Sequence, residues 1–307
     1  MMVWMFNIFN GLCVLLSVAY LTLLERKILG YMQFRKGPNK VSITGVAQPL
    51  SDALKLFVKG PSSPSSSNMY MFLLMPMVGL VVALLFWALT PSEHSKDFVC
   101  YGFLLFFVLS SLNVYIIMLS GWSSNSVYAF LGALRASAQT ISYEVAMIFV
   151  LALPAFVLTT YSWNNMYFAY PVMFLLGPSL VLWLICVMAE TNRAPFDFAE
   201  GESELVSGFN VEYSGSMFAF LFLSEYAVIM FMSLATCVWF MSPHIWMALV
   251  IFTVMVVSFI VFVRGCYPRL RYDMLMLTSW KQVLPSSMCM LMLVILMWNF
   301  AVNYRFP

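Results

Sequence analysis

This sequence has little charge. Asp, Glu, Lys and Arg together make up 9% of its 307 residues. A soluble domain carries about 25%, so a water-soluble globular enzyme is excluded. Cysteines are few and scattered: Cys13, Cys100, Cys186, Cys237, Cys266 and Cys289 form no C-x-x-C pair. That removes a local zinc or iron–sulfur site. His94 and His244 are the only histidines, which leaves a haem held between paired helix-borne histidines unsupported. No G-x-G-x-x-G or Walker A pattern occurs, so no local nucleotide site is expected. The net charge of +2 contains no basic block, and nucleic acid is not an expected partner.

What is present is apolar surface. Hydrophobic residues make up 63% of the chain, and the mean hydropathy is +0.90. A helix that crosses a bilayer needs ~20 apolar residues. Runs near 3–24, 69–90, 99–120, 137–160, 171–190, 216–240, 245–263 and 285–304 predict an all-α polytopic membrane protein. It has about eight transmembrane helices in a single integral membrane domain over 1–307. The ~10-residue alternating segments of a membrane barrel do not occur. The first run ends abruptly at Glu25-Arg26-Lys27 and lacks a basic leading region and a clear cleavage site, so it reads as a retained helix. Pro76, Pro154, Pro178 and Pro285 lie within or at the starts of these helices, where neighbours can satisfy the freed backbone groups.

Of the fifteen Lys and Arg residues, all but Lys96 and Arg305 fall in loops near 25–68, 121–136, 191–215 and 264–284. The positive-inside rule puts these odd-numbered loops inside and both termini outside. Within the first of them, Leu50, Ala53, Leu54, Phe57 and Val58 recur at helical spacing. Ser51, Asp52, Lys55 and Lys59 take the opposite face, and Pro49 suits a first turn. This predicts one short amphipathic interfacial helix, either a lipid-surface anchor or one wall of a cavity with Asp52 and Lys55 at its rim. The Ser- and Pro-rich stretch 60–67 reads as a flexible connector.

The densest chemistry lies between residues 190 and 225. Glu190, Asp197, Glu200, Glu202, Glu204, Glu212 and Glu225 share this stretch with Arg193. Phe196, Phe198, Leu205, Val206 and Phe209 interleave with them and favour burial. Glu225 falls ~13 Å inside its span at 1.5 Å per residue, and Glu144, beside Tyr143, lies about a third of the way into another. A charge near the bilayer centre costs at least ~2.5 kcal/mol. Closely spaced buried carboxylates cannot all ionise, so some hold exchangeable protons. A chain of such groups entering the bilayer from one side is the physical form of a proton relay. A solvated acidic loop and a purely structural polar network are the alternatives. No histidine joins the cluster, and no metal is expected. The spacing of Glu200, Glu202 and Glu204 does not fit one helical face and suits a loop lining a cavity.

Three further stretches carry polar groups at the membrane border. In 25–40, Lys27, Lys36 and Lys40 read as a topogenic stop. Tyr31, Gln33, Phe34 and Arg35 mix aromatic surface with hydrogen-bond donors, the combination a lipid-soluble quinone needs. Arg264, Arg269 and Arg271 serve topology by default and can pair with acidic loops or a partner subunit. The small polar residues of 121–126 and 135–144 suit close helix packing or a water-lined path, and both readings stay open.

Leu24-Glu25-Arg26-Lys27-Ile28-Leu29-Gly30-Tyr31, Arg35-Lys36-Gly37-Pro38-Asn39, Ala138-Gln139-Thr140-Ile141-Ser142-Tyr143-Glu144-Val145 and Glu200-Gly201-Glu202-Ser203-Glu204-Leu205-Val206-Ser207-Gly208-Phe209-Asn210 resemble the chain 1 family of NADH:ubiquinone oxidoreductase, respiratory complex I. The resemblance runs from the first helix to Arg271-Tyr272-Asp273. It implies a subunit that joins the membrane arm to the quinone-reducing peripheral arm and forms much of the chamber that ubiquinone enters from the bilayer. It also implies that acidic residues here begin the polar path that couples quinone reduction to proton pumping. By resemblance, Arg26, Gln33, Arg35, Asp52 and Lys55 line the quinone access path, which Phe34 joins. The coupling residues are Glu144, Glu190, Arg193, Asp197, Glu200, Glu202, Glu204, Glu212, Glu225 and Tyr226, with Tyr143 beside them.

Ubiquinone is then the substrate and no catalytic site is complete on this chain. FMN and the iron–sulfur clusters belong to partner subunits, and the other contacts are membrane lipid and further complex I subunits. Abundant methionine, 25 residues, and scarce lysine fit an organelle-encoded protein and suggest the animal mitochondrial form. The expected location is the mitochondrial inner membrane, with the charged loops in the matrix and both termini on the intermembrane-space side. A stand-alone antiporter predicts internal repeats, and the two halves show no convincing self-similarity. A hydrogenase-type membrane subunit or a docking scaffold would not need a quinone chamber.

Overall fold

The computed structural model describes residues 2–60, 62–91, 100–197 and 208–305. Every regular element among them is helical. The apolar runs become α1 (Met2–Met32), α3 (Met69–Phe86, prolonged by a 3-10 turn Trp87–Leu89), α4 (Gly102–Ser123) and α5 (Val127–Leu158). The amphipathic segment forms α2 (Gln48–Val58), with Pro49 in its first turn. A short α6 (Trp163–Tyr167) precedes α7 (Gly177–Glu190). Then come α8 (Gly215–Thr236, continued by a π turn Cys237–Met241), α9 (Trp246–Cys266), α10 (Tyr272–Thr278) and, after a π turn Ser279–Val283, α11 (Leu284–Arg305).

Lipid offers no partner to a free backbone N–H or C=O, so long apolar runs settle as helices. Among the described residues, six stretches are long and apolar enough to cross a membrane: 69–89, 102–123, 127–158, 215–241, 246–266 and 272–300. The 31-residue α1 and the 14-residue α7 complete the eight apolar helices expected. The run expected at 171–190 is broken. Val172–Phe174 makes a 3-10 turn, and α7 starts only where Gly177-Pro178 allows a proline in its first turn.

Two expected inner loops are largely helix. The loop near 121–136 shrinks to 124–126, because α5 begins at Val127 and carries Arg135 within it. A Cβ on Gly121 would lie 2.3 Å from that of Ala133, so the small residues here serve close α4–α5 packing. The loop near 264–284 contains α10 and a π turn, since Leu275 and Val283 bury against the core. The 60–67 connector is tied down at several points. The Ser62 N–H donates to Ser214 Oγ at 2.9 Å, and Asn125 Nδ2 donates to Ser66 O at 3.1 Å.

The central element is α8, which packs on α1, α2, α3, α7 and α9. Its apolar window is 67% buried, against 11% for 272–300. That contrast puts α8 at the heart of the bundle and leaves the last helix facing outwards. Aromatic side chains fill the centre. Phe106, Phe231, Trp163, Trp183 and Trp239 are each under 4% exposed and meet at centroid distances of 5.3 to 6.5 Å in edge and tilted contacts.

Candidate functional site

The end of α7 positions the first group of side chains. Glu190 is its last helical residue, and Asn192 follows with φ 48°. The Asn192 N–H donates to Ala189 O at 3.3 Å and the Arg193 N–H to Met188 O at 3.1 Å. This is a Schellman turn with asparagine in the left-handed position. It fixes Glu190 and Arg193 on opposite sides of one tight bend.

On one side of the bend, Arg193 joins a buried ionic hub. Glu25 of α1, only 6% exposed, accepts from Arg193 at 3.4 Å, from Tyr226 Oη at 2.6 Å and from Arg264 near the end of α9. The Arg193 guanidinium also lies over the Tyr226 ring, 4.4 Å from its centroid, a cation–π contact. Tyr226 is braced in turn by Phe222 at 4.5 Å.

On the other side lies a cavity of about 30 Å³, room for at least one water. It is lined by Asn113, Ile116 and Ile117 of α4, Glu190, Thr191, Asn192, Phe209 and the α8 residues Leu221, Ser224, Glu225 and Val228. Glu225 and Tyr226 are consecutive, about 100° apart around the helix, so α8 presents one to the cavity and the other to the hub. Among the described residues, Glu190 Oε2 and Asn192 Oδ1 are buried and have no hydrogen-bond partner. Such groups are costly unless water or a proton satisfies them. Glu144 of α5 accepts from Ser110 at 3.1 Å and stands close enough to Glu190 for their charges to interact. Carboxylates from α5, α7 and α8 therefore converge.

A second tier fastens the following loop. The fully buried Gln139 donates from Nε2 to Ala189 O at 2.9 Å and to Phe196 O at 2.8 Å. Asp197, 6% exposed, pairs with Arg269 at 3.1 Å, and the Leu270 N–H donates to Pro195 O at 3.0 Å. Tyr143 shares a hydrogen bond with Thr278 at 2.8 Å and touches Phe196 at 5.8 Å between ring centroids. It thus faces α10, while Glu144, its sequence neighbour, faces α4. Below, Tyr213 stacks on Phe72 at 4.1 Å and donates to Ser120 O at 3.1 Å. Burial pushes the Tyr213 phenol up to about 12. Glu212 sits half-buried in the turn between the 3-10 segment Gly208–Asn210 and α8.

The third tier lies at the end of α1. Arg26 pairs with Asp52 of α2 at 2.7 Å, and Gln48 donates to the same carboxylate at 2.9 Å. Arg35 donates from Nε to Gln33 Oε1 at 2.9 Å. Phe34 caps α1 with φ 55° and is fully exposed. A bulky residue in that conformation costs on the order of 1–3 kcal/mol. Lys55 is exposed in the last turn of α2. Leu50, Leu54, Phe57 and Val58 are exposed along the same helix, apart from an edge contact of Phe57 with Phe220 at 6.2 Å.

A protein-family model described as NADH dehydrogenase matches residues 6–295. The chain belongs to the NADH dehydrogenase family. It is similar to NADH-ubiquinone oxidoreductase chain 1 of Aedes aegypti, 48% identical over 281 residues covering 90% of each chain. The corresponding protein of Branchiostoma lanceolatum is 48% identical over 299 residues, 95% of this chain and 93% of that one. That of Balaenoptera physalus is 46% identical over 290 residues, 91% of each.

In this NADH dehydrogenase family chain, the structure brings Glu190 and Glu225 to one cavity with Glu144 close by, and Arg193 to Tyr226. Arg26 meets Asp52, and Gln33 meets Arg35. Tyr143, Asp197 and Glu212 stand apart from the cavity. Glu200, Glu202 and Glu204 lie outside the described residues. Among the described residues, no group of three or more His, Cys, Asp or Glu side chains could hold a metal. Sequence reasoning missed Glu25, Gln139 and Arg264 as site residues. For Glu25 the signal was available: a carboxylate opening a basic stretch at the end of an apolar run needs a partner.

Proposed function

We propose that this chain is a membrane subunit of the proton-translocating NADH:ubiquinone oxidoreductase. It forms a wall of the chamber that ubiquinone enters from the bilayer and couples quinone reduction to proton movement. The observation that carries this reading is the convergence of Glu144, Glu190 and Glu225 from three helices, two of them on a water-sized cavity. Charged groups inside a membrane domain mark ion and proton paths. The names of the relatives favour a quinone-reducing complex over a stand-alone antiporter.

In this reading the site residues divide the labour. Arg26, Gln33, Phe34, Arg35, Asp52 and Lys55 bind and orient the quinone head at the end of α1, and the exposed apolar face of α2 meets its tail or lipid. Electrons arrive through partner subunits of the peripheral arm, which hold FMN and the iron–sulfur clusters. Reduced quinone draws protons from its surroundings. The segment of sequence that carries Asp197, Glu200, Glu202, Glu204 and Glu212 answers that demand. Glu190 sits at the cavity, and Glu225 and Glu144 pass the change of charge into the bilayer. Tyr143, Arg193 and Tyr226 hold Phe196 and the bend. The subunit lies in the mitochondrial inner membrane, with its charged loops in the matrix and both termini on the intermembrane-space side.

The test has two parts. Gently solubilised membranes run on a native gel carry this chain in the band that oxidises NADH with ubiquinone; its absence from that band removes the reading. In vesicles, Glu225→Gln leaves the complex assembled and lowers protons moved per NADH oxidised. Normal coupling in an assembled mutant refutes the role of Glu225.

A further inference from the structure

Consecutive residues of α1 reach two different places. Arg26 extends to Asp52 on α2 at a half-exposed rim. Glu25 turns inwards to Arg193, Tyr226 and Arg264. These contacts join segments 168, 201 and 239 residues apart. The geometry points to Glu25 as a positioning residue: its buried carboxylate latches the rim of α1 to the Glu190–Arg193 bend. This inference rests on the functional reading proposed above and adds to it a residue that touches neither quinone nor the cavity.

The physical argument has three steps. A buried carboxylate in an ion pair resists separation, because parting leaves uncompensated charge in a poor solvent. Arg193 therefore follows Glu25. The Schellman turn makes the bend one stiff unit, so displacement of Arg193 is displacement of Asn192 and Glu190 at the cavity wall. Finally, Glu25 and Arg26 share one turn of helix, so a quinone that disturbs the Arg26–Asp52 pair acts on the latch through rigid backbone. Tyr226 closes the arrangement from α8, whose next residue back, Glu225, lines the same cavity.

The experiment uses the assembled complex in phospholipid vesicles, with NADH and a short-chain ubiquinone analogue. It reads kcat, KM and protons moved per NADH. Glu25→Gln keeps the shape and an acceptor oxygen but removes the charge. The expected result is a kcat lowered ~tenfold or more, with KM changed by less than ~threefold. The double variant Glu25→Gln/Arg264→Gln restores the local net charge, and its kcat rises at least ~threefold above the single variant through coupling of the two sites. Wild-type kcat in Glu25→Gln overturns the latch. So does a raised KM at unchanged kcat, which would make Glu25 a quinone ligand. If Glu25→Gln impairs assembly, the same rescue is read on the assembled band, and failure of the double variant to recover it overturns the proposal. Absence of the wild-type chain from the NADH-oxidising band would remove the functional reading instead, so the two failures are distinct.

Discussion

Gln139 offers the cleanest test of how the segment after α7 is held. Its side chain is fully buried, and one amide nitrogen donates to both Ala189 O and Phe196 O. Gln139→Leu keeps most of the volume and removes both bonds. Each bond contributes about 0.5–1.5 kcal/mol net, and a buried carbonyl left without a donor costs about 1–3 kcal/mol. Ala189 O keeps the Asn192 N–H at 3.3 Å, so the second cost falls on Phe196 O. The sum is about 2–6 kcal/mol, and removal of Gln139 Oε1, buried with no partner among the described residues, returns about 1–3 kcal/mol. The net of about 2 kcal/mol is on the order of 30-fold in the opening equilibrium of the bend. Hydrogen exchange reports that equilibrium. In the assembled complex, the amides of Arg193 and Phe196, bonded to Met188 O and Arg193 O, exchange ~30-fold faster in the variant, and amides in the second half of α8 are unchanged. A rise of less than ~threefold at Arg193 and Phe196 refutes the reasoning.

Other consequences are open to measurement. A Cβ on Gly132 would sit 2.9 Å from Gly208 Cα and 3.1 Å from Phe209 N, all backbone, so Gly132→Val costs about 1–3 kcal/mol. The amount of assembled complex on a native gel falls several-fold; a wild-type level would contradict the close approach. Asp197 and Arg269 form a partly buried pair, and a double-mutant cycle with Asp197→Asn and Arg269→Gln gives a coupling of about 1–2 kcal/mol in thermal unfolding; additivity within about 0.3 kcal/mol would show that they do not act together. Tyr213 has its pKa raised by burial to about 12. The unfolded phenol loses its proton near 10, so its stabilising contribution is complete below pH ~10 and disappears as pH rises towards 12. Tyr213→Phe lowers the melting temperature at neutral pH and flattens its decline between pH 10 and 12; an unaltered slope would place that titration elsewhere.

Much of the architecture was legible along the chain. The eight apolar runs matched eight apolar helices among the described residues, and the stripe from Leu50 to Val58 became α2 within three residues at its start. The convergence of Glu190 with Glu225 was only half legible. Their isolation in apolar sequence showed that each needed a partner, and nothing in their spacing said that the partners were each other. In isolation the 121–136 and 264–284 segments read as loops, because charge and small polar residues signal loops. In the folded chain, Ala133 and Leu275 have neighbours that make helix the better solution.

The sequence alone determined that this chain lives in a membrane as a bundle of helices, because backbone desolvation in lipid depends only on the length and polarity of a local run. It also set acidic residues within and beside those apolar runs, where each needs a partner. Only the tertiary structure decided who satisfies them. Glu25 meets Arg193 and Arg264, Gln139 meets two loop carbonyls, and Asp197 meets Arg269. The reason is physical: a buried charge or amide is satisfied by whatever donor packing brings within about 3 Å, and packing joins residues with no regard to their separation along the chain.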